Sequence, residues 1–326
     1  MIQQNQTKSL QQKKRLRQRR RVRKLKQLLH FFITFGVLAT ACFFLTHFIL
    51  SSLKKPEIME KQNPKTIIVD DTFYSSDTNT AQTLSSQEDL LSSILDVDIE
   101  SIEQAQTVIS NYALLHKHTL EDYPQSLIEL FVKNKDARSF VLDYPDKKDE
   151  NPIIDLSEYA ACDSVPLLMQ WDARWGYTKY AGNAFGLTGC GPTCLSMVAL
   201  YLTHDVSLTP TYIAEFSKKN GYSIDGSGSA WTLISQGGRK LGLRVTEIPL
   251  DQDRMIRNLQ LGYPIICIMG PGDFTDSGHF IVITGLNNNG EFTINDPNSY
   301  ERSQKTWSFE ELQYQIRNLW ICQKRK

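Results

Sequence analysis

The stretch GCGPTC, residues 189–194, places a cysteine between two glycines just where an apolar helical pattern begins. Apolar residues recur at helical spacing from Leu195 to Leu202, and Pro192 suits the first turn of a helix, where its missing N–H is not needed. A helix N-terminus favours thiolate over thiol, and flanking glycines allow a tight turn and the close approach of a substrate backbone. Cys190 is therefore a candidate nucleophile. The alternative is a small buried core cysteine.

A nucleophilic cysteine needs a base, and His279 is the best placed of the six histidines. It opens the apolar run 280–284, which predicts a buried strand, and a turn then leads to a second strand that ends near Asp296. The hairpin 280–294 brings its two open ends to the same edge, so we expect His279 beside Asp296. A nucleophile on a helix, a base on one strand and an orienting carboxylate on the next match the arrangement of a catalytic triad.

Several motifs within residues 164–322 resemble the papain-like cysteine peptidases of family C39 in their stand-alone bacterial form, relatives of the double-glycine leader peptidases of bacteriocin exporters. The matching motifs are Val165-Pro166, Gln170-Trp171-Asp172 with Arg174-Trp175, Gly189-Cys190-Gly191-Pro192-Thr193, Gly278-His279-Phe280 and Asn295-Asp296-Pro297-Asn298-Ser299. The resemblance implies a papain-like fold with Cys190 as nucleophile, His279 as general base and Asp296 as the group that orients it. Residues 121–145 also resemble a helical lead-in found in such proteins.

The chain departs from the papain pattern at the oxyanion hole. Papain-like enzymes carry a glutamine a few residues before the cysteine, where this chain has Ala184. The stand-alone proteins carry their Gln-Trp-Asp motif at a longer distance, so the resemblance implies Gln170 as a candidate oxyanion donor beside the Cys190 N–H. The alternative is a polar residue on a loop held in place by Trp171 and Trp175.

The N-terminal quarter predicts a membrane anchor. Eleven Lys and Arg residues lie within positions 8–26, and an uncharged apolar run over 28–53 is long enough to cross a hydrocarbon core of about 30 Å. The positive-inside rule puts residues 1–27 in the cytoplasm and the chain after the span outside the cell. Cleavage near Ala41-Cys42, as in a lipoprotein or a signal peptide, is the alternative. Because the apolar run continues beyond that point, we expect an uncleaved signal anchor.

The charge is divided along the chain. Of 36 basic residues eleven precede the span, which leaves 25 basic against 36 acidic residues and a net charge of −11. This acidity weakens the case for nucleic acid as a partner, and the apolar span beside the basic cluster argues against a nucleic-acid-binding arm. The six cysteines are scattered along the chain, so we expect no disulfide framework. The sequence contains no paired CxxC or HxxxH pattern, so we expect neither a metal nor another cofactor.

The sequence predicts five segments: a basic cytoplasmic tail (1–27), a transmembrane signal anchor (28–53), a flexible polar stalk (54–100), a helical lead-in (101–160) and a papain-like cysteine peptidase domain (161–326). In the domain we expect helices at 192–202, 229–241 and 251–261, and strands at 264–269, 279–285, 290–295 and 318–323. A capping box at Ser308 and Glu311 predicts a short helix before the last strand. A helical half followed by an antiparallel sheet is an α+β arrangement. Residues 270–278 predict a mobile loop that gates the cleft beside His279.

These features predict a membrane-anchored cysteine peptidase that acts on peptide or protein substrates outside the cell. We expect a stand-alone enzyme rather than a leader peptidase built into a transporter. A surface binding module on the same fold and an amidase acting on cell-wall peptides are the alternatives, because a triad fixes acyl transfer but not the acyl donor. The sequence defines neither the substrate nor the oligomeric state.

Overall fold

A computed structural model describes residue 91 and residues 94–325, which belong to one compact unit, Thr78–Lys326. The predicted cytoplasmic tail, the predicted signal anchor and most of the predicted stalk lie outside the described residues. Over the part that is described, no helix is both long enough and apolar enough to cross a membrane.

The lead-in consists of helices that share one apolar core. They are α1 (Ile102–Leu115), α2 (Gln125–Lys133), α3 (Arg138–Leu142) and α4 (Tyr144–Lys147). α1 begins with a capping box in which Ser101 and Gln104 each accept a backbone N–H from the other. The core of these helices also contains Ile99, from the end of the predicted stalk, and Tyr177 and Ala184 from the predicted peptidase domain. The lead-in therefore packs on the domain as part of one folded body.

The helical half of the C-terminal domain contains the helix that begins at Cys190. Its elements are β1 (Lys179–Tyr180), β2 (Asn183–Ala184), α5 (Phe185–Thr188), α6 (Cys190–Thr203) and α7 (Pro210–Lys219). α6 is buried from Gly191 to Leu200 and ends at His204, whose backbone is left-handed with φ 57°. The helix thus starts two residues before the predicted position.

An antiparallel sheet forms the second half of the domain. Before it come the hairpin β3 (Ser223–Ile224) and β4 (Gly228–Ser229), then a π-helical segment, Leu233–Gly237, which continues into α8 (Gly238–Lys240). The six strands have the order β5-β10-β6-β7-β8-β9. They are β5 (Leu243–Glu247), β6 (Ile265–Met269), β7 (His279–Leu286), β8 (Phe292–Asn295), β9 (Thr306–Trp307) and β10 (Ile316–Lys324), connected in part by α9 (Gln252–Gln260), α10 (Tyr300–Gln304) and α11 (Phe309–Gln313).

The central strands of this sheet are buried on both faces. Ile266 and Val282 belong to the same core as α6, whereas Ile265 and Ile283 pack in a separate core with Met255 of α9. Successive side chains of a strand point to opposite faces, so strands covered on both sides are continuous apolar runs. The predicted α+β arrangement of a helical half and an antiparallel sheet is therefore confirmed, with helices on both faces of the sheet.

α7 (Pro210–Lys219) has no counterpart in the prediction, and neither do the two-residue strands. Two further differences concern a shortened helix and an edge strand. The helix expected over 229–241 begins only at Leu233, because Ser229 lies in β4 and pairs with Ser223. β5 is not predicted by periodicity, since it is a short edge strand in which exposed Arg244 separates two buried residues. The capping box at the start of α11 is confirmed, with the Ser308 side chain accepting from the Glu311 N–H.

Candidate active site

Cys190 is the first residue of α6, where backbone N–H groups have no partner within the helix. Burial alone would raise the pKa of the Cys190 thiol. Hydrogen bonding and charge from His279, together with hydrogen bonding from the backbone of Phe280 and Gly191, outweigh burial and lower this pKa. The residue is partly exposed. Since the thiolate is the nucleophilic form of cysteine, these surroundings suit attack on a carbonyl carbon.

The other described cysteines are free thiols in the opposite electrostatic situation. Burial raises the pKa of Cys194 and Cys267, and raises the pKa of Cys322 to about 12. Burial also raises the pKa of Cys162, which is partly exposed. Within residues 94–325, Cys190 is thus the cysteine whose surroundings favour the thiolate.

The glycines beside Cys190 are explained by packing. Gly189 has φ −84°, and neither Gly189 nor Gly191 is among the described glycines with positive φ, so the expected tight turn requires no special backbone conformation. A Cβ on Gly191 would lie 2.6 Å from Ser229 Oγ, and one on Gly189 would overlap the Phe185 ring. Glycines are required at the start of α6 because side chains of β4 and α5 lie directly against its backbone.

His279 is the first residue of β7 and pairs with Met269 of β6. Its Nε2 lies 2.7 Å from Asp296 Oδ1, which leaves Nδ1 as the ring nitrogen available to Cys190. Burial lowers the pKa of His279, but the charge and hydrogen bond of Asp296, with a smaller contribution from Cys190, raise it to about 10. A raised histidine pKa beside a lowered cysteine pKa favours a thiolate–imidazolium pair over the neutral pair.

The β7–β8 hairpin explains how residues 17 positions apart come into contact. Val282 pairs with Asn295, so Asp296 comes level with Ile281, two residues from His279 along the strand. The structure therefore brings His279 and Asp296 together at the sheet edge where the sequence predicts them.

The Asp296 carboxylate is fully buried and surrounded by donors. Oδ1 accepts from the Asn298 N–H at 2.8 Å as well as from His279, and Oδ2 accepts from Arg302 Nε at 2.6 Å. Burial raises the pKa of Asp296, but the charges of His279 and Arg302 outweigh it and hold the pKa below its usual range. Sequence reasoning missed Arg302. The available signal was Ser299, whose side chain caps α10 by accepting from the Arg302 N–H.

The Gln170 amide lies beside two segments of the site. Its backbone N–H donates to the Pro297 carbonyl, in the turn after Asp296, at 2.7 Å. Its Nε2 donates to the carbonyl of Gly186, four residues before Cys190, at 2.7 Å. One Nε2 hydrogen is left over, and Oε1 is buried with no partner among the described residues. Within the described residues, the side-chain amide of Gln170 therefore keeps one Nε2 hydrogen and its Oε1 without a partner.

Two tryptophans hold the loop that carries Gln170, as the alternative interpretation of this motif expects. Trp175 is fully buried and donates to the Met169 carbonyl at 2.8 Å. Trp171 packs edge-on against Tyr300, with 5.3 Å between ring centroids. These contacts explain the tryptophans of the motif as structural residues, but they do not involve the side-chain amide of Gln170.

The loop over residues 270–278 is anchored along its first half. Phe274 is buried, and the Gln315 side chain accepts from the Asp273 N–H and donates to the Asp273 carboxylate, both at 2.7 Å. Asp276 is exposed and pairs with Lys133 of α2 at 3.0 Å. A gate beside His279 would therefore be limited to residues 275–278.

In the described part of the chain no metal site coincides with these residues, and a large cavity lies away from them. No group of three or more His, Cys, Asp or Glu side chains in residue 91 or residues 94–325 could hold a metal ion. A cavity of about 900 Å³ lies at the ends of β5 and β10, lined by Arg239, Arg244 and Lys324 among others. Cys190, His279 and Asp296 do not line it.

Comparison with known proteins identifies a peptidase family. Residues 162–324, which are 163 of the 326 residues, match the model described as the Peptidase_C39 like family. Among solved structures, the chain is similar to the peptidase domain of Streptococcus ComA, described as a bi-functional ABC transporter involved in a quorum sensing pathway. The two share 26% sequence identity with a TM-score of 0.34, over 42% of this chain and 93% of that chain. No curated protein matches the chain.

Proposed function

Because the chain belongs to the Peptidase_C39 like family and is a cysteine peptidase, we propose that it cleaves amide bonds of peptides with Cys190, His279 and Asp296. One observation carries the proposal: a cysteine of lowered pKa interacts with a histidine of raised pKa, and that histidine lies 2.7 Å from a buried carboxylate. A core cysteine needs none of these partners. Membership in a peptidase family also argues against a binding module without turnover.

The reaction starts from the thiolate–imidazolium pair. The Cys190 thiolate attacks the carbonyl carbon of the scissile amide, and the oxyanion that forms accepts from the Cys190 N–H and from the remaining Nε2–H of Gln170. His279 then transfers its proton to the amine nitrogen, the C–N bond breaks, and the acyl group stays on Cys190 as a thioester. His279 thus acts as an acid in this half of the reaction.

Hydrolysis of the thioester restores the pair. Neutral His279 takes a proton from water while the water oxygen adds to the thioester carbon, and the C–S bond breaks to release the carboxylic acid and the thiolate. His279 acts as the general base in this half. Asp296 keeps the ring oriented through Nε2 in both halves, so that Nδ1 faces the reacting atoms.

We also propose that the enzyme acts outside the cell, held at the membrane by residues 28–53. The support is the cluster of eleven basic residues before an uncharged apolar run, followed by a chain of net charge −11. A tethered domain would meet peptides, proteins or the peptides of the cell wall. The triad chemistry is the same for each of these acyl donors.

Turnover of defined libraries by the full-length protein tests the proposal. The protein, purified in detergent, is incubated with a peptide library and with cell-wall peptide fragments, and Cys190→Ala serves as the inactive control. We expect cleavage by the wild type and an acyl adduct on Cys190 detectable by mass spectrometry. Turnover confined to the cell-wall fragments would identify the amidase alternative. Equal turnover by wild type and Cys190→Ala would contradict the assignment of Cys190.

A further inference from the structure

The loop between α2 and α3, in the helical lead-in, contacts the turn that follows Asp296. We propose that Asn134 and Asp136 of this loop are positioning residues for the catalytic carboxylate, so that the catalytic unit extends upstream of the residues that match the family. The inference rests on the proposed function, because it assigns these residues a task in the same triad. Their positions precede residue 162, where the family match begins.

Asn134 binds the turn at Asn298. Its Nδ2 donates to the Asn298 backbone carbonyl at 2.6 Å and to the Asn298 side-chain oxygen at 3.0 Å. Its Oδ1 accepts from the Asp136 N–H at 3.1 Å, which caps the short 3-10 turn Lys135–Ala137. The side chain is only 9% exposed, so these hydrogen bonds form away from competing water. Asn298 is also the residue whose N–H donates to Asp296 Oδ1.

Asp136 binds the same turn two residues further on. Its Oδ2 accepts from the Tyr300 N–H at 2.9 Å and from the Ser299 hydroxyl at 3.4 Å. Tyr300 is the first residue of α10, the helix that carries Arg302. Arg302 in turn donates to Asp296 Oδ2 at 2.6 Å. Asp136 therefore fixes the start of the helix that presents the second donor to the carboxylate.

Taken together, each oxygen of Asp296 is bound by a donor in a segment that the lead-in contacts. Oδ1 is bound by the Asn298 N–H, and Asn134 holds Asn298. Oδ2 is bound by Arg302, and Asp136 holds the first turn of its helix. A displacement of about 1 Å in a catalytic group can cost about a hundredfold in rate, so the placement of this turn matters for turnover.

The lead-in also contacts the opposite side of the site. A Cβ on Gly186 would lie 2.5 Å from the Phe140 ring of α3, so this ring packs directly on the Gly186 backbone. The Gly186 carbonyl accepts from Gln170 Nε2. The same group of helices thus borders both the orienting carboxylate and the proposed oxyanion donor, which explains why residues outside the family match share a core with the domain.

Point variants of the full-length protein test the inference, with Lys135→Ala as the matched control. Lys135 lies between the two positioning residues, but its ammonium contacts Asp96 and not the catalytic turn. We expect Asn134→Ala and Asp136→Ala to lower kcat tenfold or more while KM changes less than twofold, and Lys135→Ala to change neither. Asp136→Asn keeps an oxygen that can accept from Tyr300 and should retain most of the wild-type kcat.

The pH midpoint of Cys190 alkylation by iodoacetamide is a second measurement. It would not change if Asn134 and Asp136 had only a structural role. A less well-held Asp296 supports the imidazolium less, so the alkylation midpoint should rise in Asn134→Ala and Asp136→Ala. Circular dichroism checks folding. If Asn134→Ala does not fold, Asn134→Ser keeps an acceptor for the Asp136 N–H and loses the reach to Asn298.

The outcomes separate this inference from the function on which it rests. Folded variants with wild-type kcat and a wild-type alkylation midpoint would overturn the positioning role while leaving the triad intact. A wild-type Cys190 that titrates like an ordinary thiol and supports no turnover would overturn the triad, and the inference with it. A rise in the midpoint limited to the two positioning variants supports the inference even on a poor substrate.

Discussion

Replacing Asp296 by asparagine removes the charge that raises the pKa of His279 while keeping the size of the side chain. In the wild type, Asp296 is the main group that raises this pKa from 6.5 to about 10. A change of this size corresponds to roughly 5 kcal/mol in favour of the imidazolium, and Cys190 supplies part of it. The population of the ion pair in Asp296→Asn should therefore fall by about three orders of magnitude.

The amide that replaces the carboxylate also has too few acceptors. The His279 and Arg302 donors bind different oxygens of Asp296, and the Asn298 N–H shares one of them. An asparagine offers one oxygen, so one charged donor in this buried site loses its partner. Breaking a buried pair in this way costs about 3–5 kcal/mol, and we expect stability to fall by an amount at the lower end of this range because Arg302 is 27% exposed.

The pH dependence of the two proteins gives the sharpest assay. Because the folded pKa of His279 is raised, its contribution to stability is complete below about pH 6.5 and is lost as the pH rises through about 10. In Asp296→Asn this loss should move toward neutral pH. Thermal unfolding between pH 6 and pH 10 measures it, and alkylation of Cys190 over the same range measures the thiolate.

Turnover should fall by about 10²–10⁴-fold in Asp296→Asn but remain above that of His279→Ala, because Asp296 orients the ring without transferring the proton itself. Asp276→Asn is the control for loss of a nearby charge, since Asp276 is 87% exposed and lies three residues before His279. It should behave like the wild type. A folded Asp296→Asn protein with wild-type turnover and an unchanged alkylation profile would refute the reasoning.

Four further predictions follow from the site and from the N-terminal sequence. Cys190→Ala and His279→Ala should each abolish turnover, and the double variant should be scarcely worse in the same assay, because members of one catalytic unit are non-additive; retention of most activity by a folded His279→Ala protein would remove it from the mechanism. Gln170→Ala should lower kcat about 10²–10³-fold with little change in KM, whereas unaltered kinetics would leave Gln170 a loop residue. Protease treatment of intact cells should release the peptidase domain, and a mature N-terminus at or after Cys42 would contradict the signal anchor. Iodoacetamide at neutral pH should modify Cys190 before the four cysteines of raised pKa, which are Cys162, Cys194, Cys267 and Cys322. Equal labelling of all five, measured by mass spectrometry, would count against Cys190 as the nucleophile.

Elements that are buried on both sides could be predicted from the sequence. β6 and β7 are continuous apolar runs because α6 covers one face of the sheet and α9 the other, so their bounds agree with the prediction to within a residue. β5 is a short edge strand in which buried and exposed residues alternate, and it is too short for this alternation to be recognised in the sequence. The helix expected over 229–241 is shortened because pairing of Ser229 with Ser223 takes its first residues into a hairpin, and such pairing has no local sequence signal.

The site could be predicted only as far as local pattern reaches. Cys190, His279 and Asp296 each follow from a helix start, a strand start or a strand end. The residues that support them do not, because Asn134 contacts Asn298 across 164 positions and Arg302 contacts Asp296 through a turn of irregular shape. Contacts of this kind depend on how the lead-in packs against the sheet, and side-chain periodicity carries no information about that packing.

The second cation on Asp296 has a reason in the proposed two-step chemistry. His279 is protonated when Cys190 attacks and neutral once it has given its proton to the leaving amine, so its attraction for the carboxylate disappears in the middle of the reaction. Two opposite unit charges about 4 Å apart at an effective dielectric constant of about 20 attract each other by about 4 kcal/mol. Loss of such an attraction raises the pKa of a buried acid. The guanidinium of Arg302 donates from Nε to Oδ2 at 2.6 Å and takes no part in the proposed proton transfer. In the proposed reaction Arg302 therefore still favours the ionised form of Asp296 at the thioester stage, where the carboxylate has to support the imidazolium that forms as His279 takes a proton from water.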